Sequence, residues 1–133
     1  MLLERIYDED LSQASYFIGC QAAGDAIVVD PRRDIQVYQD LASAYGMTIT
    51  AVAETHIHAD FLSGTRELAA ATGATAYVSG EGGDDWQYGF DATRVMDRDT
   101  ITLGNITIEA RHTPGHTPVS YTHLRAHETV LDL

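Results

Sequence analysis

Residues 47–60 read MTITAVAETHIHAD, and this stretch decides the fold. Met47 to Ala53 alternates and is rich in Thr, Ile and Val, the pattern of a β-strand. His56, His58 and Asp60 follow at i, i+2 and i+4. Three side chains at that spacing share one face only where the backbone is extended. On a helix, His58 would point away from the other two. A loop leaving a strand end therefore gathers three ligand-type groups from one short stretch. Neutral imidazoles suit zinc or iron, and a carboxylate adds charge neutralisation and a hard oxygen. The expectation is a metal site at the end of a strand.

Working outward, Ala26-Ile27-Val28-Val29 is a continuous apolar run with β-branched residues, typical of a buried strand. It stops at Asp30-Pro31, because proline has no N–H to give a ladder. Leu2 to Tyr7 and Ser15 to Ile18 read as short strands. Asp34 is placed to cap a helix whose apolar positions, Ile35, Val37, Tyr38, Leu41 and Tyr45, run to a stop at Gly46. A second helix is expected from Ser63 to Thr72, ending at Gly73, followed by a strand over Ala74 to Val78. The acidic, glycine-rich SGEGGDD at 79–85 has the wrong charge for a phosphate cradle and reads as a turn. Ile101-Thr102-Leu103, Gly104-Asn105 and Ile106-Thr107-Ile108 together spell a hairpin. The order predicts a layered α/β fold with a mixed sheet.

The 133 residues suit one domain or a piece of one. At 44% apolar and 21% charged, the composition is that of a globule with a core. Twenty acidic against eight basic residues give a net charge of −12. That charge repels phosphate backbones and anionic membranes, so no nucleic acid and no membrane partner is expected. No apolar run approaches the roughly 18 residues of a membrane helix. The opening MLLERIYDEDLSQ meets charge at Glu4 and does not read as a signal peptide. One cysteine, Cys20, excludes a disulfide framework within the chain and fits a cytoplasmic location. Cys20 itself reads as a small buried hydrophobe. Trp86, Tyr88 and Phe90 alternate, which reads as one packed face of an extended stretch.

A second motif, Arg111-His112-Thr113-Pro114-Gly115-His116-Thr117-Pro118, also follows a predicted strand. Pro-Gly makes a tight turn that can bring His116 back over a strand end. A third imidazole from a remote segment completes a set that leaves metal positions open. His112 precedes the turn and is assigned a structural or orienting role. Asp30, at the end of AIVVD, is placed either to orient a ligand histidine or simply to end the strand.

The last fifteen residues, VSYTHLRAHETVLDL, fit none of these elements. Val119 to Thr129 resembles one translated frame of a transposase-type sequencing adapter. The expected organisation is therefore 1–118 native and 119–133 a non-native tail. His123 and His127 stand at the i, i+4 spacing of zinc-protease helices, but the adapter is the plainer source of both.

Taken together, these residues resemble the metallo-β-lactamase superfamily, with T-H-I-H-A-D opening the metal site and H-T-P-G-H-T supplying the later histidine. QASYFIGC, AIVVDPRRD, AETHIHADFLSG and ARHTPGHTP are most similar to its persulfide (sulfur) dioxygenase branch, which includes rhodanese-linked bacterial members. The resemblance spans residues 1–118 and implies the N-terminal part of a four-layer αββα sandwich. It implies one non-haem Fe(II) per chain, with zinc as the alternative. Carried over by motif, His56 and His116 would be iron ligands, with His58 and Asp60 lining the site. In the superfamily's two-metal hydrolases, the positions of His58 and Asp60 bind metal directly. Position 61 is Phe, where hydrolases such as glyoxalase II place another histidine, so a second metal would lose a ligand. The later aspartate ligand and the glutathione-contacting region of the family are expected beyond Pro118.

The implied reaction is oxidation of glutathione persulfide by O2 to sulfite and thiol in the intact parent. The rivals are a thioester hydrolase of the glyoxalase II type and a non-catalytic metal-binding fragment. A downstream rhodanese domain and a homo-oligomer are both left open by the resemblance.

Overall fold

The computed structural model describes residues 2–9, 13–54, 64–79, 93–96, 98–112, 121–126 and 129–132. Among these residues the elements follow in the order β1 (Leu2–Asp8), β2 (Gln13–Cys20), β3 (Asp25–Val29), α1 (Gln36–Tyr45), β4 (Thr48–Ala53), α2 (Thr65–Thr72), β5 (Thr75–Ser79), β6 (Thr93–Val95), β7 (Thr100–Leu103), β8 (Ile106–His112), β9 (Tyr121–Ala126) and β10 (Thr129–Asp132). One sheet has the order β1-β2-β3-β4-β5-β6, and the second has β10-β9-β8-β7. In the first, β1, β2 and β3 are antiparallel, whereas β3 through β6 are parallel. The mixed sheet follows from the short turn between β2 and β3 and from the helices α1 and α2, which carry the chain from β3 to β4 and from β4 to β5.

Side-chain alternation on β3 divides the core. Ile27 and Val29 join Ile18, Ala51, Ala53, Ile101, Leu103, Ile106 and Ile108 between the two sheets. Ala26 and Val28 join Phe17, Tyr38, Ile49, Val52 and Leu68 under the helices. A strand buried on both faces reads as a continuous apolar run, which is why AIVV carries no polar residue. The layers are thus helices, mixed sheet and antiparallel sheet, three layers of the expected αββα sandwich.

β4 departs from simple alternation. The β3–β4 register steps from Ala26↔Ile49 to Ile27↔Ala51, which leaves Thr50 as an unopposed extra residue. Through this bulge Ile49 packs under the helices and Ala51 faces the other sheet, although both are odd-numbered.

Both helices stop where expected, at Gly46 and Gly73, each in the left-handed region with φ of 65° and 73°. The cap of α1 differs from expectation. Ile35 holds the N-cap position, and the Asp34 carboxylate accepts from the Gln36 N–H at 3.3 Å. The hairpin turns at Gly104 and Asn105 in the expected register, with Leu103 opposite Ile106. Cys20 is buried beneath it, and the Asn105 N–H points to its Sγ at 3.4 Å. Backbone N–H groups, that of Asn105 foremost, hold this thiol below its ordinary pKa.

The tail differs most. Residues 121–126 pair with β8, and 129–132 pair with β9. His123 lies opposite Arg111 and Asp132 on a strand and not on a helix. His127, SGEGGDD from Gly80 onward and the Trp86–Phe90 stretch lie outside the described residues.

A buried hydrogen-bond chain ties the helix layer to the first sheet. The Arg32 N–H donates to the Tyr38 hydroxyl at 2.7 Å, and Tyr38 and Ser15 Oγ lie 2.8 Å apart. Ser15 Oγ in turn donates to the Ile6 carbonyl at 3.4 Å. Burial pushes the Tyr38 phenol above its ordinary pKa. Tyr38→Phe should lower stability by about 1–3 kcal/mol in urea unfolding, because it orphans the Arg32 N–H and takes from Ser15 one of its two partners. In the unfolded chain the phenol ionises near 10.0, whereas the folded protein keeps its proton to higher pH. Wild-type stability should therefore fall as pH rises above that value, and Tyr38→Phe should reduce the fall.

Candidate metal centre

The described part of the site is its frame. β3, β4, β5 and β6 are parallel, so their C-terminal ends lie along one rim of the sheet. Ligands in open α/β sheets bind beyond such an edge. The Asp30 N–H donates to the Ala53 carbonyl at 2.8 Å, and the Glu54 N–H donates to the Tyr77 carbonyl at 3.1 Å. The last residue before Thr55 is thus hydrogen-bonded to β5 at the rim.

The second sheet reaches the same rim through Tyr77. This ring packs against Val95 of β6 and Ala110 of β8, and it also touches the core between the sheets. Tyr77 is the register neighbour of Ala53. Ala110 is further fixed to the turn after β6, since its carbonyl accepts from the Arg98 N–H at 2.7 Å and its N–H donates to the Asp99 carbonyl at 2.9 Å. β8 continues two residues to His112. The strands that lead into the two histidine segments therefore share the core between the sheets, and Tyr77 packs against both that core and Ala110.

His56, His58, Asp60 and His116 themselves lie outside the described residues. Among the described residues, no group of three or more His, Cys, Asp or Glu could hold a metal ion. The test of fit is the chemistry of the donor set. Imidazoles and a carboxylate, following strands that end at one rim, suit a transition metal with open positions.

Asp30 stands at this rim with 4% of its surface exposed and a left-handed backbone, φ 53°. Outside glycine, Asp and Asn tolerate that conformation best. Beyond it, Pro31 accepts a hydrogen bond from the Gly64 N–H at 3.0 Å. Arg32 Nε is buried without a hydrogen-bond partner among the described residues. Neither the Tyr77 bridge nor the Pro31–Gly64 pairing has a local signal, because each joins residues far apart in sequence.

The profile of the metallo-beta-lactamase superfamily matches residues 8–131. The chain belongs to that superfamily. Its structure is similar to a metallo-beta-lactamase from Staphylococcus aureus subsp. aureus COL, with 47% identity and a TM-score of 0.87 over 93% of this chain and 37% of that one. It is also similar to ETHE1 from Myxococcus xanthus, at 27% identity and a TM-score of 0.81 over 98% of this chain and 56% of that one. Among curated relatives, a hydroxyacylglutathione hydrolase of Anaeromyxobacter dehalogenans is 39% identical over 99 residues, 74% of this chain and 37% of that protein. The mitochondrial persulfide dioxygenase ETHE1 of Bos taurus is 28% identical over 126 residues, 89% of this chain and 45% of that protein. The chain thus spans less than half the length of these two curated relatives. The superfamily fold implies a metal, usually zinc or iron.

At Asp30, Ala should be worse than Asn. Asp30→Asn retains a residue suited to the left-handed backbone, whereas Asp30→Ala adds a strain of roughly 1 kcal/mol. Urea unfolding of the two variants measures the difference directly.

Proposed function

We propose that this chain is the N-terminal part of a single-iron persulfide dioxygenase, oxidising glutathione persulfide with O2. The observation that carries the reading is Phe61, directly after the H-x-H-x-D motif. A phenyl ring offers no ligand, so a second metal would be held one donor short, and one metal suits oxygen chemistry better than two suit hydrolysis. Similarity to ETHE1 from Myxococcus xanthus and Bos taurus supports the same branch.

In this reading His56 and His116 hold the metal, with a carboxylate from beyond Pro118 as third ligand. His58 and Asp60 line the site, where they orient the ligands and polarise bound groups. Two histidines and a carboxylate would hold the iron, which when bound would supply the one-electron chemistry that O2 needs. The balance is GSSH + O2 + H2O → GSH + H2SO3, with the outer sulfur oxidised and the S–S bond broken. The protein's share is to position the persulfide and exclude bulk water, and no side chain here need act as nucleophile. Residues 119–133 are proposed to be adapter-derived, and a genomic read through Pro118 tests that.

A hydrolase is the second reading, favoured by the 39% identity to a hydroxyacylglutathione hydrolase. There His56, His58, Asp60 and His116 would hold the metal, which would supply activation of water for thioester cleavage.

Metal analysis with an oxygen electrode separates the two in the full-length protein. One iron per chain with persulfide-dependent O2 uptake is expected, and loss of iron in both His56→Ala and His116→Ala. Two zincs per chain with hydroxyacylglutathione cleavage would overturn the proposal. Phe61→His should restore the missing donor and raise the metal stoichiometry from one toward two. The 133-residue chain alone should bind metal weakly and show no turnover.

A further inference from the structure

We propose that Gly64 is a positioning residue for the metal-binding stretch, through close backbone contact with Pro31 and Arg32. The inference rests on the reading of residues 56–60 as metal-binding. Gly64 is the first described residue after that stretch, and its N–H donates to the Pro31 carbonyl at 3.0 Å. A Cβ placed on it would lie 2.1 Å from the Arg32 carbonyl oxygen and 3.1 Å from Ile35 Cγ2. Its backbone, φ −80° and ψ 1°, is open to any residue. Glycine is therefore required here for space and not for conformation.

The position makes the requirement sharper. Gly64 is the N-cap of α2, where Ser, Thr, Asp or Asn would cap better. The obstacle is backbone, which does not swing aside as a long side chain does. Arg32 is moreover tied by its N–H to the Tyr38 hydroxyl, and Tyr38 is fully buried. On the other side, the Gly64 carbonyl accepts from the Leu68 N–H at 2.8 Å, and Leu68 is fully buried as well. Neither wall of the contact can yield cheaply. At the opposite end of the stretch, Glu54 is bonded to Tyr77. The described residues that flank 55–63 are thus both anchored, Glu54 to β5 and Gly64 to the turn after β3. A methyl at Gly64 would displace one anchor and change the span available to the ligands.

The test is Co(II) titration of the purified full-length protein, followed by its d–d absorption. The wild type should bind, and His56→Ala should abolish the spectrum. Gly64→Ala should weaken Co(II) affinity roughly tenfold or more and shift the bands, the size of effect seen when groups that orient ligands are lost. Gly73→Ala, which strains the left-handed end of the same helix, should be destabilised yet bind Co(II) as the wild type does. Wild-type affinity and bands in Gly64→Ala would overturn the proposal while leaving the metal reading intact. A wild-type spectrum that His56→Ala retains, or none at all, would instead bring down the metal reading and the proposal with it. Should Gly64→Ala not fold, amide exchange in the wild type decides. Protection of the Gly64 N–H should rise about tenfold on saturation with Zn(II), and unchanged protection would overturn the inference.

Discussion

Parallel pairing of β3 with β4, and of β4 with β5, is the constraint on which the rest depends. It sets Val29, Ala53 and Tyr77 side by side along one rim. Two backbone bonds continue the ladder past the strands, from Asp30 to Ala53 and from Glu54 to Tyr77. Each lies where the chain leaves the sheet, so the direction of departure is fixed by the sheet and not by the loop. A motif with alternating ligand types is useful only when its first residue is so fixed, since one residue of slip turns every side chain to the opposite face.

The bulge at Thr50 belongs to the same logic. Without the extra residue, Ile49 and Ala51 would face the same layer. With it, Ile49 fills the space under the helices, while Ala51 and Ala53 present small side chains to the second sheet. Small residues there leave room for Tyr77, whose ring spans to Val95 and Ala110. The inter-sheet contact at the rim is thus made by one large side chain among small ones, a complementary packing that fixes the spacing of the layers.

Much of this frame was legible in the sequence because its signals are local. AIVV between glycine and Asp-Pro, the helix stops at Gly46 and Gly73, and the Leu103-Gly104-Asn105-Ile106 turn each declare themselves within a few residues. The family was legible through T-H-I-H-A-D and H-T-P-G-H-T, which carry the resemblance that the superfamily match bears out. Non-local features stayed hidden. β6 is three residues long and paired on the sheet edge, too short for periodicity to register. The bulge at Thr50 leaves the composition of β4 unchanged and alters only its register. β9 and β10 gain their order from pairing with β8, in a segment whose residues carry no strand pattern of their own. At Asp34 the capping chemistry was correct and the position was off by one, because the carboxylate bonds the N–H two residues on in an Asx-like turn.

Charge and burial separate the frame from the surface. The net charge of −12 is carried by a chain whose described core admits only Ser15, Asp30 and Thr65 as buried polar side chains. Ser15 is accounted for by the Tyr38 chain, and Thr65 begins α2 beside Gly64. Asp30 is the one acid among the three, and it stands at the rim. Burying a carboxylate costs free energy unless its surroundings compensate, and so does a non-glycine residue in the left-handed region. Asp30 meets the second cost as one of the residue types that, after glycine, tolerate the left-handed backbone best, and its N–H bond to the Ala53 carbonyl holds that backbone at the end of β3.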